Sequence, residues 1–348
     1  MLASHILYGS DSFSPSCKGL FSEWLKTMSA FNALDQFGVA VICPLELEAL
    51  AMIRQLDSDK DYGEEFSADC HFTLGGIGKH NIVITSLPAG RLGHTSAAVA
   101  AQQTKAKFPN IQCFLLVGVA GGVPSEKHDI RLGDVVVSFP DGKHGGVVQY
   151  DFGKEEEQFI HSGQTNSVPQ RLLTFLTSVK LRHARFPMRK PRFVEYLEVQ
   201  MANGLEKPSS SSDRLFPSSE FHKEDGDYRS CDETKALVRN AREHPHVHYG
   251  LIASGNRVMK NGTQRDHYNQ MHGNSVIAYE MEAAGLMNFT PCLVIRGVSD
   301  YADSHKPPND KWHIFAAAAA ASYAREFIEQ VTVETISSLS SQQVPTKG

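Results

Sequence analysis

The chain has 348 residues, with 34 Lys+Arg against 39 Asp+Glu for a formal net charge of −5, and 41% hydrophobic and 21% charged residues. These proportions are those of a globular chain and exclude a wholly disordered one. The mild acidity supplies no field for a polyanion, which excludes nucleic acid as a default partner.

At roughly 100–200 residues per domain the length admits two domains, although α/β chains often place more in one unit. Residues 1–36 are weakly periodic and read as an N-terminal arm without chemistry. Val39 to Cys43 is a short apolar run, the mark of a strand buried on both faces. Pro44 breaks it, and Leu45 to Leu56 carries helical spacing through Leu47, Leu50 and Ile53. Asn81 to Ser86 reads as a strand, and Thr95 to Phe108 as an Ala-rich helix. Cys113 to Val117 is a buried strand that ends in Gly118-Val119-Ala120-Gly121-Gly122, and Asp134 to Phe139 is another. Helices are expected at Gln170 to Val179, Thr234 to Glu243, Ala283 to Phe289 and Trp312 to Thr332, and strands at Tyr249 to Ala253 and Cys292 to Ile295.

This alternation predicts a three-layer αβα fold with a mixed, mostly parallel central sheet, one domain over 37–332, and a ligand beyond the carboxyl ends of strands. Between Pro187 and Arg229 the pattern decays around Pro208-Ser209-Ser210-Ser211-Ser212, so about 187–230 reads as a surface insertion. Residues 333–348 read as a mobile tail. The six cysteines contain no CxxC pair, which favours a reducing, cytoplasmic compartment over a disulfide framework. Met1 to Phe13 lacks the basic and apolar regions of a secretory signal. The longest near-apolar run, Ile314 to Ala321, falls short of the roughly 20 residues of a membrane span, so no membrane partner is expected.

Several short motifs follow strand ends. Gly75-Gly76-Ile77-Gly78-Lys79 and Gly90-Arg91-Leu92-Gly93-His94-Thr95 read as turns, or, for the second, as a helix start that can hold an anion. Neither matches a Walker A or dinucleotide fingerprint. Gly118 to Gly122 is either a tight turn or a place where a ligand approaches the backbone. Glu46 and Glu48 suit a solvated first helical turn. Glu280 and Glu282 lie in an apolar context where carboxylates are costly unless paired or functional; in extended chain they share one face, and they suit sugar hydroxyls. Asp300, after the last buried strand, is either a helix cap or an acid whose burial raises its pKa. His244, His246 and His248 alternate, but no cysteine partner or HExxH accompanies them, so no metal is expected. Serine hydrolysis lacks its GxSxG motif.

Together the motifs resemble the nucleoside phosphorylase / nucleosidase superfamily, in particular its fungal branch and the methylthioadenosine/S-adenosylhomocysteine nucleosidases. The resemblance spans about Val39 to Ile328. It rests on Pro44-Leu45-Glu46-Leu47-Glu48, Val117 to Gly122 with Arg131-Leu132-Gly133-Asp134-Val135-Val136, Ser254-Gly255-Asn256, Glu280-Met281-Glu282-Ala283 and Arg296-Gly297-Val298-Ser299-Asp300. Gly145 to Lys154 and Asp213-Arg214-Leu215-Phe216 are similar to the fungal branch, whose domain often fronts larger immune-type receptors; here it is expected to stand alone.

The resemblance implies cleavage of an N-ribosidic bond through an oxocarbenium-like transition state, with no cofactor. Asp300 matches the acid that serves purine N7, and Glu48 the base that activates water. Glu282 matches the ligand of the ribose 2′-hydroxyl, Met281 the residue packed on the sugar, and the backbone at Val258 and Met259 the purine-binding strand. Val119, Ala120, Gly121, Glu280 and Asn256 are the remaining substrate-binding matches. The aromatic residue that stacks on the base in bacterial nucleosidases is Val258 here, so Tyr150 or Phe152 is expected to supply the stack.

Phosphorylases of the superfamily usually carry Gly and Arg, or Thr, after the first strand, whereas this chain carries Glu46 and Glu48. A carboxylate repels a phosphate dianion and can deprotonate water, so hydrolysis of adenine-type purine nucleosides is expected. Arg91, His94, Lys79, Arg214 and Lys306 are the cations available to a 5′-phosphate, with solvated surface as their other reading. They keep ATP or AMP cleavage open beside phosphorolysis and non-catalytic nucleoside binding. The resemblance also implies a homo-oligomer in which a neighbouring subunit closes the pocket.

Overall fold

The computed structural model describes residues 34–157, 159–222, 231–240, 242–307 and 310–331. The expected tail and all but the last three residues of the expected arm lie outside the described residues, as do 223–230 of the expected insertion.

The first half of the chain builds one side of a sheet. Apolar β1 (Phe37–Cys43) leads through Pro44 into α1 (Glu46–Ile53), followed by β2 (Asp61–Phe66), β3 (His71–Ile77), β4 (His80–Ser86), α2 (His94–Lys107) and β5 (Cys113–Gly122). The middle contributes β6 (Val135–Ser138), β7 (Val147–Gln149), the small hairpin β8 (Gly153–Glu155) and β9 (Phe159–His161), and helices α3 (Gln170–Arg185) and α4 (Arg192–Ala202). The last part adds β10 (Val247–Ser254), α5 (Gly262–Met271), β11 (Val276–Glu280), α6 (Ala283–Met287), β12 (Leu293–Asp300) and α7 (Lys311–Ile328).

The main sheet has ten strands in the order β11-β10-β6-β12-β5-β1-β4-β3-β2, with β7 on β10. It contains two parallel blocks. In one, β4, β1, β5 and β12 run together; in the other, β6, β7, β10 and β11 do. The blocks meet antiparallel where β12 pairs with β6 and where the end of β11 pairs with Gly121 and Gly122 of β5. The second contact closes five strands into a ring, so that the carboxyl ends of β5, β11 and β12 converge. Helix α7 lies against β12 and β5 through its alanine run, 316–321, which is buried throughout. The seat is close because Gly297 has no side chain; a Cβ there would run into the Ala316 backbone.

The fold is the expected mixed α/β sheet with helices, and three local expectations are corrected. Of the two readings of Gly118 to Gly122, the tight turn is corrected: the segment is the second half of β5, paired to β12 from Gly118↔Arg296 to Gly121↔Asp300. The helix expected over Thr234 to Glu243 is not formed among the described residues of that span: Asp232 caps a single 3₁₀ turn, Glu233–Lys235, and Arg239 and Arg242 then reach out to Asp213 and Asp134. The segment has no apolar stripe to bury; Val238 is 99% exposed. The insertion is not all surface either, because α4 packs on α7 through buried Phe193, Val194 and Leu197. No helix among the described residues is long and apolar enough to cross a membrane.

Candidate active site

Glu48 belongs to the first turn of α1, but it faces inward. Its Oε2 accepts from the backbone N–H of Leu45 at 2.7 Å, and its Oε1 accepts from the N–H of Val119 on β5 at 2.7 Å. The helix start and the glycine-rich half of β5 thus fix both carboxylate oxygens. Gly118 makes this possible, since a Cβ there would collide with the Glu48 carboxylate and with Arg296.

Arg296, on β12, is 1% exposed and lies among three glutamates. Its Nη1 is 3.6 Å from Glu48 Oε1, and its Nη2 donates to Glu282 Oε2 at 3.0 Å and to Glu280 Oε2. Glu280 also accepts from the N–H groups of Glu282 and Ala283, which fixes the turn between β11 and α6. Glu282 Oε1 accepts from Gly93 N at 3.2 Å. Asp300 ends β12; its Oδ2 accepts from Ser299 Oγ at 3.0 Å and its Oδ1 from Ala302 N at 2.8 Å.

Burial sets the electrostatics. Glu48 is pushed up to about 7, first by burial and then by Glu282, with Arg296 opposing both. Glu282 is also raised by burial, with Glu280 adding and Arg296 opposing. Burial works against the charge of Arg296, yet Glu280, Glu282 and Glu48 hold its pKa above the ordinary value.

These groups face a cleft of about 210 Å³. That lies somewhat below the roughly 300–1,000 Å³ of typical ligand pockets, so the cleft suits a small ligand. Ten expected residues line it together: Glu48, Val119, Ala120, Gly121, Val258, Met259, Glu280, Met281, Glu282 and Asp300. They come from five separate segments of the chain.

Other expected residues lie elsewhere. Asn256 does not line the cleft; its Oδ1 accepts from His94 N at 3.1 Å, and it buttresses the Gly93 loop that touches Glu282. His94 is buried, with its ring nitrogens 3.1 Å from Ser254 Oγ and 3.1 Å from Asn256 Nδ2, and burial lowers its pKa, which disfavours a charged ring there. Lys79 is excluded by topology. It sits in the turn before β4, whose Asn81 pairs with Phe37 at the start of β1, whereas the cleft lies past the end of β1. Arg91 is exposed beside the lining residue Leu92, Lys306 is exposed, and Arg214 pairs with Glu233. Tyr150 is buried against Tyr268 and Tyr279 with its hydroxyl on the Arg257 carbonyl, and Phe152 is 55% exposed; neither of these two lines the cleft, whose aromatic lining is Tyr279 and the His313 ring. Leu92, Val258 and Met259 add apolar surface beside them.

Arg296, Arg257 and His313 also line the cleft and were not expected to act in it. For Arg296 the signal was present: an arginine inside the run Leu293-Val294-Ile295-Arg296-Gly297-Val298 must be buried, and a buried guanidinium requires carboxylate partners.

The family model described as the Phosphorylase superfamily matches residues 38–332. The chain belongs to the phosphorylase superfamily. A nucleotide-binding leucine-rich repeat (NLR)-like protein of Hyaloscypha variabilis is 38% identical over 306 residues, covering 84% of this chain and 29% of that protein. The ATP nucleosidase Cap17 of Escherichia coli is 31% identical over 322 residues, covering 89% of this chain and 54% of that protein. The chain thus spans at most about half the length of these superfamily relatives. The 5′-methylthioadenosine/S-adenosylhomocysteine nucleosidase of Neisseria meningitidis superposes with a TM-score of 0.53 at 18% identity, covering 84% of this chain and 99% of that one. Futalosine hydrolase of Helicobacter pylori gives 0.53 at 16% identity, covering 85% and 99%. Both structures share the superfamily's fold.

Proposed function

We propose that the chain is a purine nucleosidase that hydrolyses the N-ribosidic bond of adenine-type nucleosides to free base and ribose. The observation that carries this reading is the convergence of Glu48, Glu282 and Asp300 on one cleft from three distant segments. Asp300 donates a proton to N7, so the base leaves neutral. Water attacks C1′ as the C1′–N9 bond breaks, and Glu48 takes the water's proton. Glu282 accepts from the ribose hydroxyls. Arg296 pulls the pKa values of Glu48 and Glu282 downward and so offsets part of the rise that burial imposes on them. Around Glu48, where the nucleophile would sit, three carboxylates face the one guanidinium of Arg296, a poor seat for a phosphate dianion, which favours water over phosphate as nucleophile.

A second reading keeps the chemistry and changes the substrate to a nucleotide. The Cap17 likeness favours it, as do Arg257 on the cleft wall and Arg91 at its rim. One experiment tests both. Adenosine, inosine, guanosine, methylthioadenosine, uridine, AMP and ATP are incubated with and without phosphate, and liberated base is read by chromatography. Release of adenine from a nucleoside without phosphate is expected. Strict phosphate dependence overturns hydrolysis, and release from ATP or AMP alone selects the second reading.

A further inference from the structure

The turn after Asp300 is held in an unfavourable conformation. Ala302 has φ +50°, in the left-handed region that residues with a Cβ seldom adopt, while its N–H orients Asp300 Oδ1. Such a residue persists only where its surroundings over-determine it. Asp300 and Ala302 face the cleft, and Tyr301 between them does not. Tyr301 is 1% exposed, and its hydroxyl donates to Asp213 Oδ1 and accepts from Arg239 Nη2 at 2.6 Å. The same Nη2 donates to Asp213 Oδ1 at 2.8 Å. The Tyr301 carbonyl accepts from Arg265 Nη1 at 2.7 Å. Further along, the Ser304 hydroxyl accepts from His222 N at 2.9 Å, and His305 stacks on Phe216 with centroids 4.3 Å apart and planes at 14°.

Most of these clamps come from 213–222, part of the segment that carries Asp213-Arg214-Leu215-Phe216 and that the proposed reaction leaves unused. We infer that Asp213, Arg239 and Tyr301 are positioning residues, which aim the Asp300 carboxyl at the leaving base by locking the turn behind it. The inference rests on the acid role proposed for Asp300. Stability alone explains the cluster poorly, because a nearly buried ion pair is seldom net stabilising; its better-attested use is to specify one arrangement. Asp213 and Arg239 expose only 13% and 14% of their side chains. The clamped residue is also the immediate neighbour of the acid, where a displacement of about 1 Å can cost on the order of a hundredfold in rate.

The test uses Tyr301→Phe, which removes one hydroxyl and keeps the ring, together with Asp213→Ala, Asp213→Asn and Asp300→Asn in the full chain. Turnover of adenosine, or of the panel member cleaved fastest, is measured per folded molecule. Tyr301→Phe and Asp213→Ala should lower kcat about ten- to a hundredfold, with KM nearly unchanged. Asp213→Asn keeps an acceptor for Tyr301 and should recover part of the loss. A crystal structure of Tyr301→Phe should show the Asp300 carboxyl displaced and Ala302 released from positive φ, a readout that needs no activity. Full turnover or an unmoved Asp300 in Tyr301→Phe, beside an inactive Asp300→Asn, overturns this inference alone. Full turnover in Asp300→Asn instead overturns the acid assignment itself.

Discussion

Replacing Arg296 by methionine tests the electrostatic core of the site. Methionine keeps much of the arginine stem's volume, so the change removes a charge while leaving little cavity. It leaves Glu48, Glu280 and Glu282 buried without their guanidinium. Removing one partner of a buried ion pair costs about 3–5 kcal/mol. Burial already disfavours the charged form of Glu48. With Arg296 still present, Glu48 stands at about 7 against an ordinary 4.5. A difference of about 2.5 pKa units is roughly 3 kcal/mol against the ionised form. In the variant Glu48 and Glu282 both move further up, because Arg296 lowers each of them. The sign then follows. Between the unfolded value and the raised folded one, the folded chain holds more protons than the unfolded chain, so stability falls as pH rises through that window. Urea unfolding at about pH 8 should therefore show a loss of about 3–5 kcal/mol, and at about pH 5 a clearly smaller one. A loss under about 1 kcal/mol at the higher pH, or an equal loss at both, would refute the claim that Arg296 neutralises this cluster.

The remaining predictions concern turnover and packing. Asp300→Asn should lower kcat by about 10²–10⁴, the range of a lost general acid, with circular dichroism unchanged. Glu48→Gln should still bind nucleoside in calorimetry but lose hydrolysis; continued turnover would place water activation elsewhere. In the parent, kcat/KM should rise with pH through about 7 as Glu48 ionises, and a flat profile there would contradict its role as base. Gly118→Ala should cost about 1–3 kcal/mol in unfolding experiments and most of the activity, because its methyl collides with Glu48 and Arg296; a fully active variant would show that the two can shift freely.

Much of this was legible before the fold was known, and the failures share a cause. The apolar runs of β1 and β12 announce buried strands by themselves. The second half of β5 does not, because glycines carry no strand preference; what makes Gly118 to Gly122 extended is pairing with β12 and β11, far away in sequence. Helix α4 is hidden for a similar reason, since Phe193, Val194 and Leu197 become an apolar face only against α7. In the site, Glu48, Glu282 and Asp300 could be named from short motifs, whereas Arg296, the partner that Glu48 and Glu282 share, could be inferred only as a buried arginine in need of carboxylates. Cation type alone misdirects. Lys79 has the right charge for a phosphate but stands past the wrong end of a strand, and the His94 ring is occupied by Ser254 and Asn256.

The raised pKa of Glu48 and its proposed role as base are compatible once the sugar is considered. In the cluster around Arg296, three carboxylates and one guanidinium would carry a formal −3 + 1 = −2, and burial resists that charge by raising the pKa of Glu48 to about 7. In the proposed reaction an oxocarbenium-like sugar would bring positive charge to the same place. That charge would favour the ionised carboxylates at the moment Glu48, in its proposed role, receives a proton from water, so the feature that makes the cluster costly is the one that would favour the transition state. Little reorganisation is needed, because the N–H groups of Leu45, Val119, Gly93, Glu282 and Ala283 already hold the oxygens. A phosphate dianion in the nucleophile's position would reverse this logic. It would add negative charge beside Glu48 and push its pKa higher still, and for that reason the arrangement favours water.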